Sequence, residues 1–135
     1  MMQIATFNDF LAAAATRDEP QRLLFVFAVS ELPQAHTPGQ KKRFDDGRGG
    51  SLAPVMCVDK AVGELADFAA LRHESGQTGQ HWTMVFVAAL PGREGAEPGA
   101  IEVQRALRMM IDAIHRGAIE RFAAFDVEGQ LVRFQ

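Results

Sequence analysis

A chain of 135 residues with 47% hydrophobic and 23% charged side chains has the composition of one globular domain, able to bury about two-thirds of the surface its unfolded chain exposes, and not that of a disordered or fibrous protein. A formal charge of −3, with no block of five like charges, leaves no basic excess to neutralise a phosphate backbone, so nucleic acid is not an expected partner. The single cysteine, Cys57, excludes an internal disulfide and fits a reducing, cytoplasmic location.

Neither a membrane span nor an export signal is expected. The longest uncharged apolar run, residues 82–92, falls short of the roughly 18 residues a span requires. No Lys or Arg precedes FLAAAAT near the N-terminus, so the charged start of a signal peptide is missing.

In chain order, Thr6 followed three residues later by Asp9 matches the reciprocal arrangement that satisfies free amides at a helix start, and predicts a helix over about 7–17, ended before Pro20. RLLFVFAV, residues 22–29, is a continuous apolar run of strand length, which predicts a strand buried on both faces. A long connection over 30–53 follows, in which Thr37, Pro38, Gln40 and Gly47 supply the start and stop signals of a short polar helix. APVMCV, residues 53–58, is a second apolar strand, and the segment behind it sets Val62, Leu65, Ala66, Phe68 and Ala69 along one side of a helix.

WTMVFVAAL, residues 82–90, is a third buried strand, and PGREGAEPG is a turn-rich loop with Pro98 placed for a helix start. A helix over 99–116 aligns Val103, Leu107, Met110, Ile111 and Ile114, and Gly117 closes it. The tail reads as two strands around Glu128 and Gly129, the second of which, QLVRF, alternates polar and apolar residues as a half-exposed edge strand does. Continuous apolar strands need cover on both faces, and strands joined through helices favour parallel neighbours. The fold class expected is therefore α/β: one domain, with a mixed sheet of about five strands packed with three main helices and a strand order left open.

The most chemically loaded stretch is RFDDGRGGSLAPVMCVDK, residues 43–60. Glycines let backbone amides approach an anion, but phosphate cradles run strand, loop, helix, whereas these glycines lead into a strand and lack the terminal Gly-Lys-Ser/Thr. A flexible loop with solvated charges is the more economical reading, and its functional alternative has Arg43 and Arg48 closing over a small anion. Cys57, Asp59 and Lys60 sit where the second strand is expected to hand over to its helix, the end of a strand where α/β sheets gather ligands. On the functional reading the thiol is activated or Asp59 acts as a general base. On the plainer one Cys57 is a small buried hydrophobe between Met56 and Val58, and Asp59 is a helix cap.

The four histidines, 36, 73, 81 and 115, form no tight pair, so no metal site is expected; His73 and His115 lie near expected helix C-termini, where the dipole favours a proton. Trp82 beside His81 reads as a residue at the core rim, Met109 and Met110 as core filling, and Arg93 and Glu94 equally as loop candidates for ligand contact or as a solvated turn.

The runs RLLFVFAVSELP, GRGGSLAPVMCVDKAVGELADFAAL and WTMVFVAALPG resemble, over nearly the full chain, a family of small bacterial proteins, some of them labelled ribonucleotide reductase alpha subunit. That subunit's chemistry uses one cysteine to carry a radical and two more to deliver electrons, and here Cys57 stands alone. What the resemblance implies is a bacterial, cytoplasmic, free-standing domain, and it carries no catalytic residues over to this chain.

Two functional expectations follow. The first is a non-catalytic domain that binds a protein partner or itself, forming a homodimer through the C-terminal edge strand QLVRF. The second is a binder of, or enzyme acting on, a small anionic molecule, with a pocket between the 43–50 loop and the strand end at 57–60. There Arg43 and Arg48 would hold the anion, Asp59 or Cys57 would be the reactive group, and Lys60 and His81 would flank it. No cofactor is implied by either.

Overall fold

Leu23, Leu24, Phe25, Val26, Phe27 and Ala28 are all at most 2% exposed, and this continuous burial dictates the layers around them. Side chains of a strand alternate between faces, so the run has to be covered twice. Leu23, Phe25 and Phe27 enter one core with Phe7, Phe10, Leu11, Phe68, Leu71, Trp82 and Phe125. Leu24, Val26 and Ala28 enter the other with Phe86, Val103, Leu107, Met110 and Ile114.

The computed structural model describes residues 4–31 and 51–133. In chain order the elements are helix α1 (Phe7–Ala15), strand β1 (Gln21–Glu31), strand β2 (Ser51–Ala61), a 3-10 turn (Val62–Glu64), helix α2 (Phe68–Gln77), strand β3 (Met84–Pro91), helix α3 (Ala100–His115) and strand β4 (Ala123–Asp126). Helices α1 and α2 cover one face of the sheet and α3 the other.

The domain is α/β, but among the described residues the sheet has four strands in the order β2-β1-β3-β4, with every neighbouring pair antiparallel, in place of the mixed sheet of about five. The expected parallel relation exists one strand apart. β2 and β3 both run opposite to β1, hence in the same direction as each other, and the crossover through α2 joins them with β1 lying between. Among the described residues the expected strand after β4 does not form, because the chain there turns back too tightly to build a ladder. The Asp126 carboxylate accepts from the amides of Glu128 and Gln130 at 2.8 and 3.0 Å, and the returning segment makes only isolated bridges, Thr6 with Gln130 and Phe125 with Leu131.

Helix α1 starts as expected. The Thr6 hydroxyl accepts from the Asp9 amide at 3.3 Å while the Asp9 carboxylate accepts from the amides of Ala5 and Thr6 at 2.9 and 3.0 Å. Helix α2 starts later than expected, because Asp67, not Asp59, supplies its cap, accepting from the Ala70 amide at 2.9 Å. Val62 and Leu65 therefore lie in the 3-10 turn and the extended approach to α2. Helix α3 matches its expected span closely, and Gly117 at φ 75° lets the chain turn off its end, with the Ala118 amide returning to the Ala113 carbonyl at 2.8 Å. The expected helix within residues 30–53 and the glycine loop lie outside the described residues.

Phe7 is the hub of the first core: fully buried, its ring centroid lies 5.3 to 6.0 Å from those of Phe10, Phe25, Phe68 and Phe125. Phe7→Ala is expected to remove about 3–5 kcal/mol of unfolding free energy, measured by urea denaturation, since four rings lose a shared neighbour.

The Asp9 carboxylate is held below its ordinary value chiefly by the Ala5 and Thr6 amides that donate to it. A folded-state value below the unfolded one stabilises fully above the unfolded value and is lost as pH falls through the folded one. Thermal melts of wild type and Asp9→Asn are therefore expected to differ near neutral pH, with the difference shrinking as pH falls below about 4.

Candidate functional site

The expected cluster at the end of β2 is taken apart by strand alternation. β2 continues to Ala61, so Cys57, Asp59 and Lys60 lie within the strand and not at its exit, opposite Val26, Leu24 and Leu23. Cys57 and Asp59 share the α3 face; Lys60 points to the α2 face. Cys57 is exposed, contrary to its reading as a buried hydrophobe, because β2 is an edge strand that α3 only partly covers. Lys60 pairs with Glu74 of α2 at 3.1 Å.

Asp59 belongs to a structural knot. The Arg22 Nε sits 2.8 Å from Asp59, and its Nη1 sits 3.1 Å from Glu64 and 3.4 Å from Glu97. One guanidinium thus ties β1 to β2, to the 3-10 turn and to the loop before α3. The Asp59 hydrogen bond is the main cause that raises the Arg22 pKa. The Ala61 amide, at 2.8 Å, is the main cause that lowers the pKa of Glu64. Asp59 is thereby engaged as an ion-pair partner.

His81 is exposed in the approach to β3, which begins opposite Ala28, whereas Asp59 lies across from Leu24, four positions or about 13 Å further along the strands. His81 and Asp59 therefore do not converge. Arg43 and Arg48 lie outside the described residues. Trp82 is a core-rim residue, stacked edge-on against Phe27 with its indole N–H donating to the Ser75 hydroxyl at 2.9 Å. Met110 fills core as expected, but Met109 is 66% exposed. Among the described residues, no group of three or more His, Cys, Asp or Glu side chains is placed to hold a metal ion, and no helix is long and apolar enough to cross a membrane.

The C-terminal segment is not an open edge. The Val132 amide donates to the Ala124 carbonyl at 2.8 Å on one side, and the Leu131 amide donates to Ala5 at 3.0 Å on the other. Among the described residues, the outer edge of β2 has no strand beside it. That edge is blunted by Pro54, which has no amide to donate, by the register shift opposite Phe27 and Ala28, and by Asp59 and Lys60.

The feature with the makings of a binding site is a groove of about 470 Å³ between α3 and β3. Leu24, Ala88 and Leu90 form its floor, Ala106, Met109, Met110 and Ala113 one wall, and Ala118 and Phe122 the other. It exists because small side chains meet there: alanines at 88, 106, 113 and 118 leave volume that larger residues would fill. The turn at Gly117 brings Phe122 and Arg121 back over the sheet to close the far side. Asp112, Arg116 and Arg121 form the polar rim.

β4 pairs with β3 only as far as Val87, so residues 88–91 run on without it. The Gly92 amide donates to Pro20 at 2.8 Å, and two-residue steps along the antiparallel ladder place the β1-facing bonds at Leu90, Ala88 and Phe86. The amide and carbonyl of Ala89 therefore face the side where β4 has ended, at the groove.

Two other hollows are less suited to a ligand. One of about 530 Å³ beside Thr6, Asn8 and Phe68 has its arginine, Arg72, already 3.9 Å from Glu128, and Asn8 occupied in accepting from the Phe68 amide at 2.9 Å. One of about 400 Å³ is built around Arg22, whose donors are taken by the three carboxylates.

The groove escaped the sequence reading because its residues come from β1, β3, α3 and the following turn. The one local signal was the pair of small residues in VFVAAL, read there as part of an evenly buried strand.

Two measurements test this placement. Cys57 is expected to react with a disulfide reagent in the native protein at a rate within about tenfold of the denatured chain, since it is exposed. Asp59→Asn is expected to cost less than about 1 kcal/mol, because Arg22 keeps Glu64 and Glu97 and the knot is partly solvated. No family model, curated protein or solved structure matches the chain.

Proposed function

We propose that this chain is a small-molecule-binding domain whose site is the groove between α3 and β3. The observation that carries the reading is a concavity of about 470 Å³ with an apolar floor, a few polar groups confined to its rim, and a backbone edge at Ala89. Ligand sites combine these features: apolar surface supplies affinity, and sparse polar groups fix orientation. Met109 and Met110 suit such a role, since an unbranched thioether adapts its shape to what it touches.

On this reading the groove binds its ligand and does not transform it. The polar rim offers two guanidinium groups and one carboxylate, and the lining residues include no histidine, thiol or hydroxyl. This reading takes up the small-anion class of the second expectation and proposes for it a different place, on the opposite face of the sheet from Lys60.

Self-association is the second reading. Its support is the outer edge of β2, an 11-residue strand with nothing paired beside it among the described residues, and the exposed Ile101 and Met109 on α3. The edge protections at Pro54, Asp59 and Lys60 weigh against strand addition there.

Filling the groove tests the first reading. Ala118→Phe, on the exposed wall, and Ala88→Phe, on the floor, are each expected to weaken binding of a naphthalene-bodied probe at least tenfold by titration calorimetry. The melting temperature of Ala118→Phe is expected to stay within about 5 °C of wild type. Unchanged probe affinity in both variants would remove the groove from consideration.

A further inference from the structure

The geometry points to a monoanionic ligand for the α3–β3 groove: an apolar body bearing one carboxylate, which Arg116 and Arg121 hold. This rests on the reading of the groove as a small-molecule site and adds the charge and number of its head group.

Both arginines line the groove, Arg116 at the end of α3 and Arg121 in the turn that follows it. Elsewhere, Arg22, Lys60 and Arg72 each lie within 4.0 Å of a carboxylate. Among the described residues, no such pair involves Arg116 or Arg121. The Arg116 Nε donates to the Asp112 carbonyl at 3.3 Å, which folds the side chain back along the last turn and leaves its remaining donors free of a protein carboxylate. A planar guanidinium presents paired donors that match a carboxylate, and the outward-facing Ala89 edge adds a backbone donor beside the same space.

The charge balance sets the number. Two guanidinium groups are offset by Asp112 on the same rim and by the negative end of the α3 dipole, so the groove carries a net excess suited to a single negative charge. A phosphate monoester, largely dianionic above neutral pH, brings its second charge against Asp112. An ammonium meets two like charges. A neutral head leaves both arginines without a charged partner.

The test is titration calorimetry of the intact chain with four compounds sharing one apolar body: 1-naphthylacetate, its primary amide, 1-naphthyl phosphate and 1-naphthylmethylammonium. The acetate is expected to bind about ten- to a hundredfold more tightly than the amide, and more tightly than the phosphate or the ammonium. In the Arg116→Gln/Arg121→Gln variant that preference is expected to vanish while affinity for the amide stays within about twofold. In Asp112→Asn the phosphate is expected to gain severalfold on the acetate.

Equal binding of acetate and amide by the wild type would overturn the monoanion while leaving the groove as an apolar site. So would a preference that survives loss of both arginines, or tighter binding of the phosphate or ammonium. Absence of binding by all four compounds would overturn the groove itself, and the head-group assignment with it.

Discussion

Burial of β1 on both faces is the constraint from which the rest of the molecule follows. A strand whose neighbouring side chains are all apolar cannot face water on either side, and it sits second in the sheet, flanked by β2 and β3 and sandwiched between helical layers. The aromatic core around Phe7 fills one side and the aliphatic stripe of α3 fills the other. The asymmetry of that filling matters. Two helices cover one face, whereas one helix and its following turn cover the other, and the space that α3 leaves along β3 becomes the groove.

Polar residues divide accordingly into those that join elements and those left over. Arg22 gathers Asp59, Glu64 and Glu97, Lys60 reaches Glu74, and Asn8 receives the Phe68 amide; each ties separate segments together and is consumed in doing so. Arg116 and Arg121 have no such employment among the described carboxylates, and they stand beside an apolar hollow. Affinity for a ligand is most readily drawn from groups that folding has not already paired, because an engaged ion pair has to be broken before it can bind anything else.

Much of the fold was legible because hydrophobic spacing is local. The capping of α1 by Thr6 and Asp9, the double burial of β1, the stripe of Val103, Leu107, Met110 and Ile114 and the stop at Gly117 each depend on residues within a few turns of one another. Errors arose where local pattern left the choice open. APVMCV reads as a buried strand, but a strand at the edge of a sheet is covered only as far as its neighbours reach, so Cys57 is exposed. Asp59 and Asp67 are both acceptable caps, and the longer course of β2 gave the role to Asp67.

The sequence by itself determined a single α/β domain, its three helices, its three long strands and the greasy middle of its sheet, because apolar periodicity selects helix or strand without reference to distant residues. The order β2-β1-β3-β4, the antiparallel pairing, the separation of Cys57 and Asp59 from Lys60 and the joining of Ala88, Ala113, Arg116 and Arg121 around one hollow were decided only in three dimensions. Strand order and shared cavities depend on contacts between residues far apart in the chain, and no local spacing records which of the apolar faces will meet.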